Sequence, residues 1–591
     1  MNPLQKDWGG VRVKNSRYFN PDLPESLTYP NVPVGAILKG SASHYSDRTA
    51  YIYQGEGMTF KTLYEKSLRF ANALRGLGVK KGTVVATHLP TCPQYIITYY
   101  GIILAGAIYS PTNPALPSDE LIYQLKDCGA AIVVTHEKYA NLLKPILKQT
   151  EIDKVILTGD QEMFTTESPV KASVYEKAWH SLADLINKSS KEEINTGIDP
   201  EKDIIHIAYT GGTTGKPKGV VITHANLISN VLQSAAWSSA CLAHVEDGAL
   251  TVAPVEKDPD KYLAEYPTLP GTGIRISPAP LFHGAGVIGS IVYPVLFGTT
   301  TILIDRFDPG QFLEDVERYR VTELSGAPPM FNFLLRHPDM EKRDFSAVRI
   351  INSGAAPIVV ELMKMLQQSF PNALITEGYG LTEATATAVC SVSFRSGRRK
   401  LGTVGLPVYD TEVKLIALDG SSEEPLSPGQ SGEVCIRGPQ VTSGYYNQPE
   451  ETEQTIRNGW LRTGDIGVFD EDGFLSIIDR KKEMLIYNGY NVYPRKLEEL
   501  LFEHPDIANA AVIGKPVRDK GEIPKAFITL KPGATVTEEE IIEYINSRVI
   551  HYMKIRELEL VDELPMTAAG KILKRALRDR EVDKEKELNN I

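Results

Sequence analysis

The sequence predicts an α/β protein. A large N-terminal domain of layered α/β sheets carries a barrel-like β subdomain, and a small mobile α+β domain follows at the C-terminus. Three observations lead there. Short apolar runs alternate with amphipathic stretches through the first two-thirds of the chain, the pattern of a doubly wound sheet. After Gly402 the texture changes to short strands punctuated by turn residues. From Arg480-Lys481-Lys482 onward a compact tail has its own hairpin, helices and strands. At 591 residues the chain is too long for one ordinary core, and the division is placed at 1–481 and 482–591.

Taken in order, residues 1–45 read as an irregular, proline-containing arm wrapped over the first domain. A helix is predicted near 61–77, with Leu63, Tyr64, Leu68, Phe70, Ala71, Leu74 and Leu77 on one face and Gly78 as its stop. Residues 84–87 read as a buried strand. The stretch 83–118 lacks Asp, Glu, Lys and Arg, but prolines 90, 93, 111 and 114 break it and no basic flank follows. A buried helix and strand are expected there rather than a membrane span. Ser118 is a candidate cap for the next helix, with Asp119 and Glu120 in its first turn and Gly129 at its end. Strands follow at 131–135, 204–208, 220–222, 300–304 and 348–351. Residues 245–272, with four prolines and no sustained period, read as a surface loop; a lid or an oligomer contact is the alternative. Strands near 412–417, 432–437, 467–470 and 474–478 make the barrel-like part. In the tail, Asn488-Gly489 marks a hairpin, a helix runs over 495–502, strands lie near 508–513 and 526–530, and Thr537 with Glu540 forms a capping box.

Composition narrows the function. The net charge of −11 argues against nucleic acid as a partner. Five widely spaced cysteines without a Cys-x-x-Cys pair fit a reducing compartment and offer no zinc site. The polar N-terminus is no secretory signal, so a cytoplasmic location is expected. Peripheral membrane contact and a homodimer are both compatible with this composition.

Between the strands at 204–208 and 220–222 lies Tyr209-Thr210-Gly211-Gly212-Thr213-Thr214-Gly215-Lys216-Pro217-Lys218-Gly219. Glycines let backbone N–H groups approach a ligand closely, and threonine hydroxyls and lysines add donors and charge. Such a loop suits the outer phosphates of a nucleotide, although it lacks the Gly-x4-Gly-Lys-Ser/Thr order of a Walker loop. Further along come Pro280-Leu281-Phe282-His283-Gly284, Asn352-Ser353-Gly354-Ala355-Ala356-Pro357, Tyr379-Gly380-Leu381-Thr382-Glu383, Leu461-Arg462-Thr463-Gly464-Asp465, Asp479-Arg480 and Pro565-Met566-Thr567-Ala568-Ala569-Gly570-Lys571.

This set, in this order, resembles the adenylate-forming superfamily, which includes acyl-CoA synthetases, firefly-type luciferases and peptide-synthetase adenylation domains. The resemblance runs from Phe60 to Lys571. It implies an AMP-forming acyl-CoA ligase using ATP, Mg²⁺ and CoA on a small carboxylic acid. By that resemblance the loop 210–218 binds phosphates, Tyr379 stacks on adenine, Thr382 donates to the α-phosphate and Glu383 coordinates Mg²⁺. Gly354, Ala355, Ala356 and Pro357 line the adenine and acyl pocket, and Gly380 belongs to the nucleotide turn. Asp465 accepts from the ribose hydroxyls and Arg480 lies near ribose and phosphates. His283 and Gly284 sit at the carboxylate end of the acyl pocket, where amino-acid-activating relatives carry an aspartate. Lys482 is the pivot between domains, Lys571 bridges the carboxylate and the α-phosphate, and Gly489 faces the CoA arm. Fatty acids of long or medium chain are the expected substrates. Some long-chain members have a bulky aromatic gate near Val287, which this sequence lacks. Aryl acids of coumarate type, and an enzyme that loads a carrier protein, remain the alternatives.

Overall fold

A computed structural model describes residues 22–589 except 163–169, 173–177, 211–215, 355, 357, 518–520 and 567–571. Two large sheets dominate. The first has seven strands in the order Trp179–Ser181, Lys154–Thr158, Ile132–His136, Val84–His88, Ile108–Pro111, Ile204–Thr210 and Lys218–Thr223. All neighbours are parallel except the last pair, which is an antiparallel hairpin with Thr210 opposite Lys218. The second has nine strands and a parallel centre, running from Leu406–Pro407 through Leu374–Tyr379 and Ile350–Ser353 to Thr49–Tyr53 and Glu56–Thr59. Parallel strands need both faces covered, which explains their unbroken apolar runs. The helix Pro93–Leu104 is buried along almost its whole length, as the uncharged stretch requires.

A five-stranded antiparallel sheet follows, with Glu412–Ile416, Ser431–Arg437, Trp460–Phe469 and Ile456–Arg457 in order and Leu475–Arg480 paired to Trp460–Phe469. A separate C-terminal domain is built on its own five-stranded sheet with three helices against it, Pro494–Phe502, Glu538–Asn546 and Lys574–Asn589.

Several local expectations change. The N-terminal segment is not irregular to residue 45, because Gly35–His44 is a helix. The stretch before it is an arm: Leu27 N and the Tyr29 hydroxyl both donate to Asp410, at 2.9 and 2.7 Å. Residues 1–21 lie outside the described residues. Ser118 does not cap the helix Ser118–Asp127; it is the first helical residue, and Pro117 holds the N-cap without a side-chain bond. The stretch 245–272 is no plain loop. It completes a two-stranded ribbon, Cys241–Glu246 with Ala249–Pro254, and then forms the helix Pro259–Glu265. Asp258 caps that helix, and Tyr262 and Tyr266 are buried against each other with ring centroids 4.9 Å apart. One predicted strand shifts to Ile350–Ser353, and the tail strands extend to Ile507–Val517 and Gly521–Leu530.

Candidate active site

The strand Leu374–Tyr379 delivers its last residue to the edge of the nine-stranded sheet, and the chain turns at once. Gly380 is required there, since a Cβ would stand 1.6 Å from the Ala386 carbonyl oxygen. Thr382–Ala384 is a single 3-10 turn, after which Thr385 takes φ 63° and ψ −55°. Ala386 N then donates to Ala384 O at 2.7 Å, closing a γ-turn of the strained hand. Such a conformation persists only where its surroundings fix it. Here Thr385 Oγ1 donates to Gln440 O at 2.6 Å and Thr442 N to Glu383 O at 2.8 Å. From the helix His224–Ser239, Asn230 Nδ2 donates to Thr387 O at 2.7 Å. Groups far apart in sequence thus fix the turn that carries Thr382 and Glu383.

A hydrogen bond and an ion pair meet at Asp465 beside this turn. The Tyr379 hydroxyl donates to Asp465 Oδ2 at 2.7 Å, and Arg480 Nε lies 3.0 Å from Asp465 Oδ1. Asp465 and Arg480 are direct partners in adjacent antiparallel strands, so the sheet register sets this pair. Burial first, and the Asp465 charge second, push the Tyr379 phenol well above its ordinary range. Each Asp465 oxygen keeps a second lone pair for another donor. Glu383 Oε1 accepts from the Tyr445 hydroxyl at 2.8 Å. Lys218 pairs with Glu451 and stands 5.2 Å from the Tyr445 ring centroid, which joins the strand Lys218–Thr223 to Glu383 through one tyrosine. Lys216 sits 5.1 Å from the Tyr123 ring. The strand Lys218–Thr223 is fastened to 444–446, where Val221 N donates to Gly444 O and Tyr446 N to Gly219 O.

On the other side, His283 N donates to Pro280 O, and Val287 N donates to His283 O at 2.9 Å, opening the helical turn Gly284–Gly286. A Cβ on Gly284 would lie 3.7 Å from Thr385 O, so the two sequence-distant motifs meet there. Gly354 N donates to Gly326 O, and a Cβ at Gly354 would meet nothing within 4 Å. Beside this loop the buried Glu377 carboxyl is raised to about 7, chiefly by burial and partly offset by the Arg495 charge. Lys482 is lowered to about 8 by burial first and by Arg480 next, with Asp465 opposing. Asp479 spans the junction: its carboxylate accepts Arg480 N at 2.7 Å and Arg495 N at 2.9 Å, the latter at the start of a C-terminal-domain helix.

Gly489 lies in the hairpin between Leu485–Tyr487 and Tyr490–Val492. Asn488 and Gly489 have φ 49° and 82°, the pair that a two-residue type I′ turn needs. Lys571 falls outside the described residues, as do Gly211, Gly212, Thr213, Thr214, Gly215, Ala355 and Pro357. On either side of residues 567–571, Met566 and Ile572 form an antiparallel bridge, and Leu573 N donates to Pro565 O at 2.7 Å. The structure brings together Thr382, Glu383, Tyr379, Asp465, Arg480, Lys218 and Gly284. It leaves Gly489 on the C-terminal domain. Sequence reasoning missed Tyr445, Asn230 and Gln440; the run Gly444-Tyr445-Tyr446 in a turn-rich stretch was the available signal for the first.

The family model of the AMP-binding enzyme matches residues 38–446, and that of the AMP-binding enzyme C-terminal domain matches 496–571. This chain belongs to the AMP-binding enzyme family. It is 35% identical over 575 residues to a long-chain-fatty-acid–CoA ligase of Bacillus subtilis (strain 168), covering 95% of this chain and 97% of that one. It is 32% identical to 4-coumarate–CoA ligase 1 of Petroselinum crispum, covering 96% and 98%. Among solved structures, an anthranilate CoA ligase in complex with anthranoyl-AMP superposes with a TM-score of 0.79 at 26% identity, over 95% of this chain and 98% of the other. ATP-bound MatB from Rhodopseudomonas palustris gives 0.79 at 25% identity, over 93% and 99%. As a member of the AMP-binding enzyme family the chain is an ATP-dependent, adenylate-forming acyl- or aryl-CoA ligase. Among the described residues no helix is long and apolar enough to cross a membrane.

Proposed function

We propose that this enzyme activates an aliphatic fatty acid of long or medium chain and passes it to CoA. The observation that carries this reading is the wall after His283. Residues 284–296 carry no charged side chain; Val287, Ile288, Ile291 and Val292 pack into the core and Gly289 is half-buried, so the segment that meets the nucleotide turn offers no charge, which suits an uncharged chain. In the first step a carboxylate oxygen attacks the α-phosphorus of ATP and the bond to pyrophosphate breaks. In the second the CoA thiol attacks the acyl carbonyl and AMP leaves. Thr382 donates to the α-phosphate. The loop 210–218 holds the outer phosphates, the Tyr379 ring covers adenine, and Asp465 takes ribose hydroxyls while Arg480 holds its charge in place. Lys571, which immediately precedes the bridge between Met566 and Ile572, bridges the carboxylate and the α-phosphate.

The donor set fits Mg²⁺. Among the described residues no group of three metal-binding side chains occurs, and Mg²⁺ does not need one: it takes one or two carboxylates and fills its octahedron with phosphate oxygens and water. Tyr445 occupies one oxygen of Glu383 and leaves the other for a hard cation. When bound, the ion neutralises charge on the phosphates as pyrophosphate departs. We place the domain junction at Lys482, where Asp479, Arg480 and Arg495 meet, and the CoA arm beside Gly489. Five free cysteines, four of them buried, support a cytoplasmic location.

The test is a competition. Purified enzyme receives ATP, Mg²⁺, CoA and equimolar hexadecanoate, octanoate, 4-coumarate, leucine and phenylalanine, and thioesters are quantified by mass. Hexadecanoyl- and octanoyl-CoA should dominate. The two amino acids should give no product, because an unpaired ammonium is costly to bury beside His283 and no aspartate stands there. Predominance of coumaroyl-CoA would overturn the fatty-acid reading.

A further inference from the structure

The segment after His283 changes its winding. Gly284–Gly286 makes one α-turn, Val287–Val292 is π-helical, and Tyr293–Leu296 returns to α. A π-turn takes up extra residues and gathers at functional sites. Carbonyls in such a turn need outside donors where the α-ladder is broken. Here three elements supply them. Arg275 Nη1 donates to Gly289 O at 2.5 Å. The Tyr51 hydroxyl lies 3.1 Å from Ser290 O and 3.3 Å from Ile291 O, and the Tyr100 hydroxyl 3.4 Å from Ile291 O. All three side chains are buried. Arg275 is itself held by Glu323 at 3.7 Å, which accepts from Thr268 Oγ1 at 2.9 Å.

Gly289 stands inside this turn. Its backbone does not need glycine, since its φ is not positive, and a Cβ there would meet nothing within 4 Å. Gly286 is the contrast, because its Cβ would stand 2.0 Å from Pro280 O. Glycine in a helix interior is destabilising relative to alanine. Neither conformation nor packing calls for it at 289, while residues 287, 288 and 290–292 are fully buried and Gly289 alone is half-buried. It faces space that the fold leaves open. It lies six positions after His283 on the same wound segment.

We propose that Gly289, on a π-helical wall held in place by Tyr51, Tyr100 and Arg275, sets the length of aliphatic chain that the site accepts. This rests on the reading of His283 as the carboxylate end of a fatty-acid pocket. A side chain at 289 would then fill the space of the distal methylenes and leave the carboxylate end untouched.

The test measures kcat/KM for CoA-thioester formation with butyrate, octanoate and hexadecanoate on wild-type, Gly289→Ala and Gly289→Leu full-length enzyme, with thermal melting of each. In Gly289→Leu the value for hexadecanoate relative to butyrate should fall by roughly 10–200-fold, the range that misfit methylenes produce in an apolar pocket. Gly289→Ala, which meets no neighbour, should fold normally and shift the ratio the same way by at least about twofold. It keeps the test valid if the leucine variant does not fold. An unchanged ratio in both, with wild type using hexadecanoate, overturns the inference alone. A wild type that uses 4-coumarate and none of the three aliphatic acids overturns the fatty-acid reading and the inference with it.

Discussion

Glu377 lies two residues before Tyr379 and shows how a single buried group shapes the site's pH response. The folded protein holds its proton up to about pH 7, while the unfolded chain releases it near 4.5. Between those values the native state binds more protons, so this group's contribution to stability falls as pH rises through that window. The gap is worth about 3 kcal/mol at roughly 1.4 kcal/mol per unit. Glu377→Gln keeps an acceptor for Ile358 N and removes the titration. Its unfolding free energy should lose about 3 kcal/mol less than wild type between pH 5 and 8, read by urea denaturation at both values; identical pH slopes would refute it. Glu383 makes a second residue-scale case. Glu383→Gln can still accept from Tyr445 but offers the cation a neutral oxygen. Pyrophosphate exchange should drop by at least about tenfold at low Mg²⁺ and recover in part at high Mg²⁺. A loss independent of Mg²⁺ would assign Glu383 another role. The carboxylate was legible in the sequence because its motif is compact. Its support was not: Tyr445, Asn230 and Gln440 reach the turn from 55 to 157 positions away, and no local pattern announces such contacts.

Elements were legible where local chemistry fixes them. Asn488-Gly489 needs two positive φ values, and Thr537 with Glu540 satisfies two helix-end donors, so both appear as read. The stretch 245–272 was misread because its order comes from burying Tyr262 and Tyr266 against distant residues, not from any period of its own. Ser118 misled because a good capping residue one position inside the helix looks the same in sequence as one at its edge. In the tail, the helix Lys574–Asn589 that follows Lys571 is tied down by Lys525, whose Nζ lies 2.8 Å from Glu581, 3.4 Å from Glu559 and 3.6 Å from Glu557. Lys525→Met removes the nearest cation from the buried Glu581, whose other cations, Lys584 and Lys515, stand 3.6 and 3.9 Å away; losing that charged hydrogen bond costs about 1.5–3 kcal/mol. Hydrogen exchange across 574–589 should rise sharply; unchanged protection would show that the helix is held otherwise. The hairpin gives a sharper test. A Cβ at Gly489 meets nothing within 4 Å, yet its φ of 82° disfavours any other residue. If Gly489 lines the CoA path, Gly489→Leu should keep pyrophosphate exchange and lose thioester formation. Parallel loss of both, with a lowered melting temperature, would leave only the turn requirement.

For the whole molecule, two large sheets and an apolar core position the turn at residues 380–385, and a separate C-terminal domain has its own sheet and core. The alternation of strand and helix made the layers readable, and the motif order made the family readable. Which strands neighbour which was not readable, because the nine-stranded sheet recruits Thr49–Tyr53 beside Thr300–Leu303, some 250 residues away. The proposed mechanism divides tasks between the domains: the N-terminal part would bind the nucleotide and the acid, and Lys571 of the C-terminal domain would serve only the first chemical step. The direct measurement is made on one preparation of Lys571→Ala with wild-type melting behaviour. Acid, ATP and Mg²⁺ should give no detectable pyrophosphate exchange, while synthetic acyl-AMP with CoA should give thioester at a rate within about tenfold of wild type. Equal loss of both half-reactions in that folded variant would contradict the assignment of Lys571 to adenylation alone.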